Sequence, residues 1–412
     1  MGTVDVTRPP RAALPMPGGE LVLEPPPEPE RPVPASLAAR LFPMVMMLGS
    51  IGFVAVLAPR EPTAWLFGGM FALSSLGMVL AGAGGRAAGQ RQATMDEERR
   101  DYLRYLATVR RRVRAIAADQ RAALEHTHPD PTAWPAVLAA GRLWERRPAD
   151  ADFGHVRIGR GPQRLAVRLV PPRTAPVENL EPVTALALRR FLRTHAVVPD
   201  LPLALSLRSC STVWLEPLGP DLEPARALAR ALVVQYALWH APQDARLVVL
   251  AAPAEAAAWD WVKWLPHAAH PRRQDALGPL RMLTHDPDEV RRWWFAELAG
   301  RPSGPAPVDP HLLIVVDGAV DAPGPWASVA GVTVLRVGAP VGRQPAASVL
   351  RLGVGRGRLV RPGAPDTPAE LRTGVPDGLT VGEARAAARR LARYRLTGTG
   401  TVTLDGLGQN DR

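Results

Sequence analysis

Lysine is almost missing from this chain of 412 residues: among 50 Lys and Arg side chains, Lys263 is the single lysine. A phosphate-binding loop of the form GxxxxGK[ST] needs a lysine that reaches the β- and γ-phosphates. Lys263 stands in WDWVKWLP with no glycine before it, so the chain has no such loop. Cysteine is just as scarce. Cys210 alone excludes a disulfide framework and any thiolate zinc cluster within one chain, which agrees with a cytosolic location for most of the mass. Neither a GxSxG elbow nor a cysteine nucleophile motif occurs. What is abundant is arginine, which gives a formal charge of +11 against 39 Asp and Glu, and 47% hydrophobic content suffices to bury the cores of two or three domains.

Residues 41–59 (LFPMVMMLGSIGFVAVLAP) and 62–85 (PTAWLFGGMFALSSLGMVLAGAGG) carry no charged side chain, and only Arg60 and Glu61 separate them. Each is long enough for a helix across roughly 30 Å of hydrocarbon, so a transmembrane helix pair is expected over 37–85. A buried hairpin and a signal peptide are the competing readings; ten prolines among the first 40 residues argue against the second. Arginines on the outer flanks place both termini in the cytoplasm, in a multi-pass protein of the inner (plasma) membrane. Residues 1–36, with PPPEPERPVP, read as a Pro-rich, extended and solvated cytoplasmic tail.

Residues 86–121 hold ten Arg against five Asp and Glu. Leu106, Val109, Val113, Ile116 and Ala123 recur at helical spacing, with Arg110, Arg111, Arg112 and Arg114 around them. The segment 86–150 is therefore expected to be an Arg-rich stalk and a return helix over Thr132 to Arg147, anchored by Trp134, Leu138 and Trp144. The expected partner-binding residues are Leu106, Val109, Val113 and Ile116 toward a partner helix, and Arg110, Arg111, Arg112 and Arg114 toward anionic lipid or acidic subunits. Nucleic acid is the competing partner for the arginines, and a plain solvated face the bland alternative.

Beyond residue 150, short apolar runs alternate with helical stretches. Strands are expected at 164–170, 203–207, 212–215, 246–251, 280–283, 311–316 and 332–337, and helices at 222–240, 254–264, 286–299 and 380–393. The run LLIVV has the look of a strand buried on both faces, which points to an α/β domain with a largely parallel sheet over 151–412.

The stretch WLEPLGPDLEPARALARALVVQYALWH sets out a strand, a turn and a long helix, the topology of a nucleotide-binding turn without its chemistry. Asp221 and Glu223 would repel a phosphate at the helix N-terminus, so Asp221 is read as a cap. HLLIVVDGAV resembles a Walker B strand, in which the Asp holds magnesium and a following acid orients the attacking water. Gly318 follows Asp317, so that acid is missing. Gly219 and Asp317 remain the weak cofactor-binding candidates, and no catalytic residue or metal ligand is assigned. RIGRGPQ and RLGVGRGR are read as hairpin turns. His267 and His270 lack a third ligand nearby, and Trp259, Trp261, Trp264, Trp293 and Trp294 read as packing anchors rather than a stacking platform for single-stranded nucleic acid.

With these residues in view, the chain resembles the N-terminal part of the EccC ATPases, the FtsK-type motors of actinobacterial type VII (ESX) secretion systems. The resemblance covers nearly the whole chain: the Pro-rich tail, the paired apolar runs, DEERRDYLRYL, LWERRP with DFGHVRIGRG, WDWVKWLPHAAHP followed by GPLRML, and HLLIVVDG. It implies a two-helix transmembrane hairpin plus helical stalk, followed by an α/β domain with a largely parallel sheet resembling a degenerate P-loop ATPase. That family continues past QNDR into its first competent ATPase module. ATP and magnesium are accordingly expected only on modules absent here, through a shortened reading frame or a second chain. The function implied is a membrane-anchored component that docks the FtsK-type ATPase to other membrane subunits of the ESX core complex, as a hetero-oligomer, without hydrolysis and without nucleic acid. The alternatives are a membrane-tethered FtsK-like DNA translocase fragment and a nucleotide-binding regulator.

Overall fold

The computed structural model describes residues 2–11, 14–29, 85–174, 176, 180–304, 306–318, 329–338, 349–361 and 371–396, with a few isolated positions between 45 and 74. In chain order the strands begin with β1 (Val4–Val6), β2 (Glu20–Val22), β3 (His155–Arg164), β4 (Arg168–Val170), β5 (Val197–Ser206), β6 (Thr212–Pro217), β7 (Ala245–Ala251) and β8 (Ala269–Asp275). They continue with β9 (Gly278–Arg281), β10 (Leu283–Thr284), β11 (His311–Asp317), β12 (Val332–Val337), β13 (Val349–Gly355), β14 (Arg358–Arg361), β15 (Leu371–Pro376) and β16 (Tyr394–Leu396). The α-helices are α1 (Gly85–Thr127), α2 (Trp134–Ala139), α3 (Pro182–His195), α4 (Glu223–Trp239), α5 (Ala256–Trp259), α6 (Pro287–Leu298) and α7 (Val381–Leu391). Two compact units are distinguishable, one of residues 1–17, 118–164 and 197–412, the other of 18–117 and 165–196.

The larger unit is built on a ten-stranded sheet in the order β10-β7-β11-β12-β6-β13-β14-β15-β3-β5. Neighbours from β10 to β13 are parallel, and those from β13 to β5 are antiparallel. The expected largely parallel sheet is thus corrected to a mixed one. The apolar runs mark the parallel half because it is covered on both faces. In β11, Leu313 and Val315 belong to the core cluster that includes α4, while Leu312, Ile314 and Val316 pack with Trp293, Trp294 and Leu298 of α6. Each such side chain contributes about 1.5–3 kcal/mol on burial. The antiparallel half lacks such runs, since such a sheet can leave one face to water. Helix α4 is buried along nearly its whole length, even at Arg230 and Gln235.

In the smaller unit, the Glu181 side chain caps α3 by accepting from the Thr184 N–H at 2.7 Å, and Pro182 fits the first turn where no N–H is needed. Arg99 of α1 bonds the same Glu181 at 2.9 Å. The proline-rich segment is not a free arm where it is described: β1 pairs with β16, β2 pairs with β4, and Leu23 is buried. The expected return helix over Thr132 to Arg147 is cut to a 3-10 turn at Pro131–Ala133 and α2, because Gly141 adopts a left-handed φ of 69° just past the helix end. Trp144 then turns inward with no exposed surface, and its indole N–H donates to the Ala237 carbonyl.

The transmembrane hairpin is also corrected. Among the described residues no helix is long and apolar enough to cross a membrane. Residues 37–85, on which that expectation rested, lie outside the described residues apart from Gly85 and scattered helical positions. The multi-pass membrane placement with cytoplasmic termini rested on the same pair of helices and is withdrawn with it.

Candidate functional site

In an open α/β sheet, ligands gather at the C-terminal ends of the parallel strands. Here β6 ends at Pro217 and β11 at Asp317, with β12 between them. The chain leaves β6 through an exposed turn, where Gly219 has a φ of 143° and no atoms near its Cα face, and enters α4 at Glu223. Strand, turn and helix follow the layout of a nucleotide-binding turn, and the polar groups around it are engaged with one another.

At the start of α4, where a phosphate would need free N–H groups, Asp221 accepts from the Glu223 N–H at 2.9 Å. That bond, with Arg356 at 3.1 Å, holds the Asp221 carboxyl below the usual range. One turn further on, Arg226 forks onto Asp317, Nε to Oδ2 at 2.9 Å and Nη2 to Oδ1 at 3.2 Å. The Trp259 indole N–H donates to the same Oδ2 at 2.7 Å. Arg226 also pairs with Glu255. Burial pulls the Arg226 proton affinity down, but the hydrogen bond and charge of Asp317, with Glu255 and Glu223, carry it above the ordinary value.

Asp317 therefore faces a guanidinium and an indole N–H within a fully buried environment, in the position where a Walker B carboxylate would hold metal-bound water. The following position has no room for a second acid. Gly318 sits at φ 89°, and a Cβ there would lie 2.8 Å from the Ala252 Cβ. Arg230, buried deeper in α4, donates to the Leu379 carbonyl at 2.7 Å and pairs with Glu223. The site can act as a charged pin joining α4, α5 and β11.

The glycine-rich stretches divide. Arg358–Arg361 returns antiparallel from β13 as the expected hairpin, with Gly357 at φ 66° in its turn, and Gly353 and Gly355 leave space for Leu218. RIGRGPQ is not a turn but part of β3, where a Cβ on Gly159 would meet the Val375 carbonyl at 2.1 Å. His267 bonds the His240 carbonyl at 2.7 Å, whereas the His270 ring accepts from the backbone of Arg272 and Arg273. Trp259, Trp261 and Trp294 are buried core residues.

On α1, Leu106, Val109 and Val113 are buried, Ile116 is half-buried, and Arg110, Arg111, Arg112 and Arg114 are exposed. Sequence reasoning missed Arg226, Glu255 and the bond from Trp259. The available signal was an arginine in the first turn of the helix after β6, in a chain that uses arginine for nearly every positive charge.

Fold and site define a class: an α/β unit on a mixed sheet, in which Arg226, Asp317 and Trp259 bond one another at the C-terminal ends of the parallel strands. No protein-family model matches the chain. Its homologues are EccC proteins of ESX secretion systems. It is 41% identical over 422 residues to the ESX secretion system protein EccC of Thermomonospora curvata, an alignment spanning 100% of this chain and 32% of that protein. With ESX-1 secretion system protein EccCa1 of Mycobacterium tuberculosis it shares 32% identity over 413 residues, 96% of this chain and 53% of the relative. The chain thus spans about a third to a half of these relatives. Among solved structures, Thermomonospora curvata EccC (ATPases 2 and 3) in complex with a signal sequence peptide overlays with a TM-score of 0.36 at 15% identity, over 60% of this chain and 48% of the other. That overlay is too loose to bear on function.

Proposed function

We propose that this chain is a non-catalytic docking part of a type VII (ESX) secretion motor, which binds other subunits of the secretion complex and works with ATPase modules outside the chain. The observation that carries the non-catalytic reading is the Arg226–Asp317 fork with its Trp259 bond, which holds the carboxylate of the Walker B-like strand in an internal contact. The relatives support the secretion system as its setting. The exposed arginines Arg110, Arg111, Arg112 and Arg114 suit acidic subunits of a hetero-oligomer or anionic lipid heads. ATP and magnesium belong to the partner modules, and nucleic acid has no part in the reading.

The test is a cell in which this chain is deleted and then restored as wild type or as Asp317→Asn. The reading expects secretion to fail on deletion and to return with either form, and the tagged chain to co-purify with the secretion complex. Return with wild type but not with a folded Asp317→Asn chain would overturn the non-catalytic assignment.

A further inference from the structure

Within the smaller unit, α1 and α3 enclose a groove of about 650 Å³. Its walls carry apolar side chains that stay unusually open for their type: Leu103 is 41% exposed, Val183 49% and Leu186 49%. Its remaining lining includes Arg110, Arg114 and Arg190, and no carboxylate. Arg99 and Arg104 of the same helix do have acids, Arg99 pairing with Asp96 and Glu181 and Arg104 with Asp101, whereas Arg111 and Arg112, outside the groove, share the lack of a described ion pair. Among the described residues no ion pair involves Arg110, Arg114 or Arg190. His195 at the same groove is held below its ordinary proton affinity by burial and then by the charges of Arg110 and Arg114. Among the described residues the positive field of these three guanidiniums meets no carboxylate within ion-pair distance.

We propose that this groove receives an amphipathic helix of another subunit, its apolar face on Leu103, Val183 and Leu186 and its flanking Asp or Glu side chains on Arg110, Arg114 and Arg190. A helix suits a trough between two helices, where side-chain ridges interdigitate, and a helix-in-groove partner is read through anchors at i, i+3 or i+4 and i+7. The carboxylates follow from charge complementarity: three guanidiniums without acids favour anionic groups and disfavour a basic or second Arg-lined surface. The groove shares Leu106, Arg110 and Arg114 with the partner-binding residues expected from sequence, whereas Val109 and Val113 are buried within the chain and the accessible apolar positions lie beside them.

The inference rests on the docking role proposed above. The test places a photo-crosslinking benzoylphenylalanine in place of Leu186 in the full chain, inside the assembled secretion complex, and maps the crosslinked peptide by mass spectrometry. The expected product is a segment of another complex subunit with apolar residues at helical spacing and at least two carboxylates. Its yield should fall at least tenfold with Arg110→Glu, Arg114→Glu and Arg190→Glu together, and stay within about twofold with the three lysine replacements. If the glutamate variant fails to fold, the same yield measured on the otherwise wild-type chain should drop as salt rises from low to high. Crosslinking to lipid, to a second copy of this chain or to a segment without acids, no crosslinking at position 186, or a yield indifferent to charge and salt would overturn the groove assignment. If the chain still co-purifies with the complex in those cases, the docking role stands without the groove; if it does not co-purify at all, both fall.

Discussion

Arg226 and Asp317 meet through two hydrogen bonds, at 2.9 and 3.2 Å, across the point where a nucleotide domain would hold its metal. Asp317 has no exposed surface and Arg226 has little. Removing one partner of a buried ion pair strands the other, which costs about 3–5 kcal/mol, whereas replacing both with uncharged groups can be close to neutral. We expect Arg226→Met to lower stability by that amount and Arg226→Met with Asp317→Asn to recover most of it. Urea unfolding of the two variants and of Asp317→Asn alone measures the coupling. Equal stabilities would show that the fork holds nothing.

A second expectation concerns Gly318. Its left-handed backbone and the 2.8 Å approach of Ala252 to a built Cβ mean that any side chain there is strained. Gly318→Glu, which restores the acid a Walker B strand would have, should destabilise the larger unit by about 1–3 kcal/mol and confer no turnover. A Gly318→Glu chain of wild-type stability would contradict the steric argument.

Acid should weaken the larger unit through its buried histidines. Burial, with the Arg146 charge adding to it, pushes His128 down to about 3; burial pushes His267 down to about 4 and His311 down to about 3. His311 lies within a hydrogen-bonded chain, 2.8 Å from the Tyr236 hydroxyl and 3.1 Å from Thr333 Oγ1. A folded-state value below the ordinary 6.5 means that the unfolded chain binds the extra protons. The stability these groups contribute is therefore present above pH 6.5 and lost as pH falls toward 3–4, at about 1.4 kcal/mol per pH unit for each group. Unfolding midpoints across that range should show the slope, and His311→Asn should remove part of it. A flat profile would mean that these rings are hydrated in the folded state.

Strands β7, β11, β12 and β6 of the parallel half were legible in the sequence because each is an apolar run largely buried on both faces, whereas β13, with an exposed Arg351 and glycines, was not. The expected 311–316, 332–337 and 246–251 lie within or close to β11, β12 and β7, and the expected helices 222–240, 286–299 and 380–393 coincide with α4, α6 and α7 to within two residues at each end. The antiparallel half was not. Strand β3 reads HVRIGRGPQR, with glycines that look like turn formers and that instead permit close approach of Val375. Helix α3 was missed because its start depends on the Glu181 cap and Pro182, a signal easily lost in a proline-rich stretch. At the candidate site, the missing lysine and missing second acid were readable as absences. The replacement of their chemistry by Arg226 and Trp259 was not, since it depends on long-range pairing between residues 58 and 91 positions apart.

The most direct test of the central claim is equilibrium binding of ATP to the full chain in the presence of magnesium, by calorimetry or a fluorescent analogue, together with phosphate release. If the site is filled by Arg226, Asp317 and Trp259, no saturable binding should appear up to about 1 mM nucleotide, an affinity weaker than about −4 kcal/mol, and no phosphate should be released. Saturable, magnesium-dependent binding or turnover that Asp317→Asn abolishes would contradict the account.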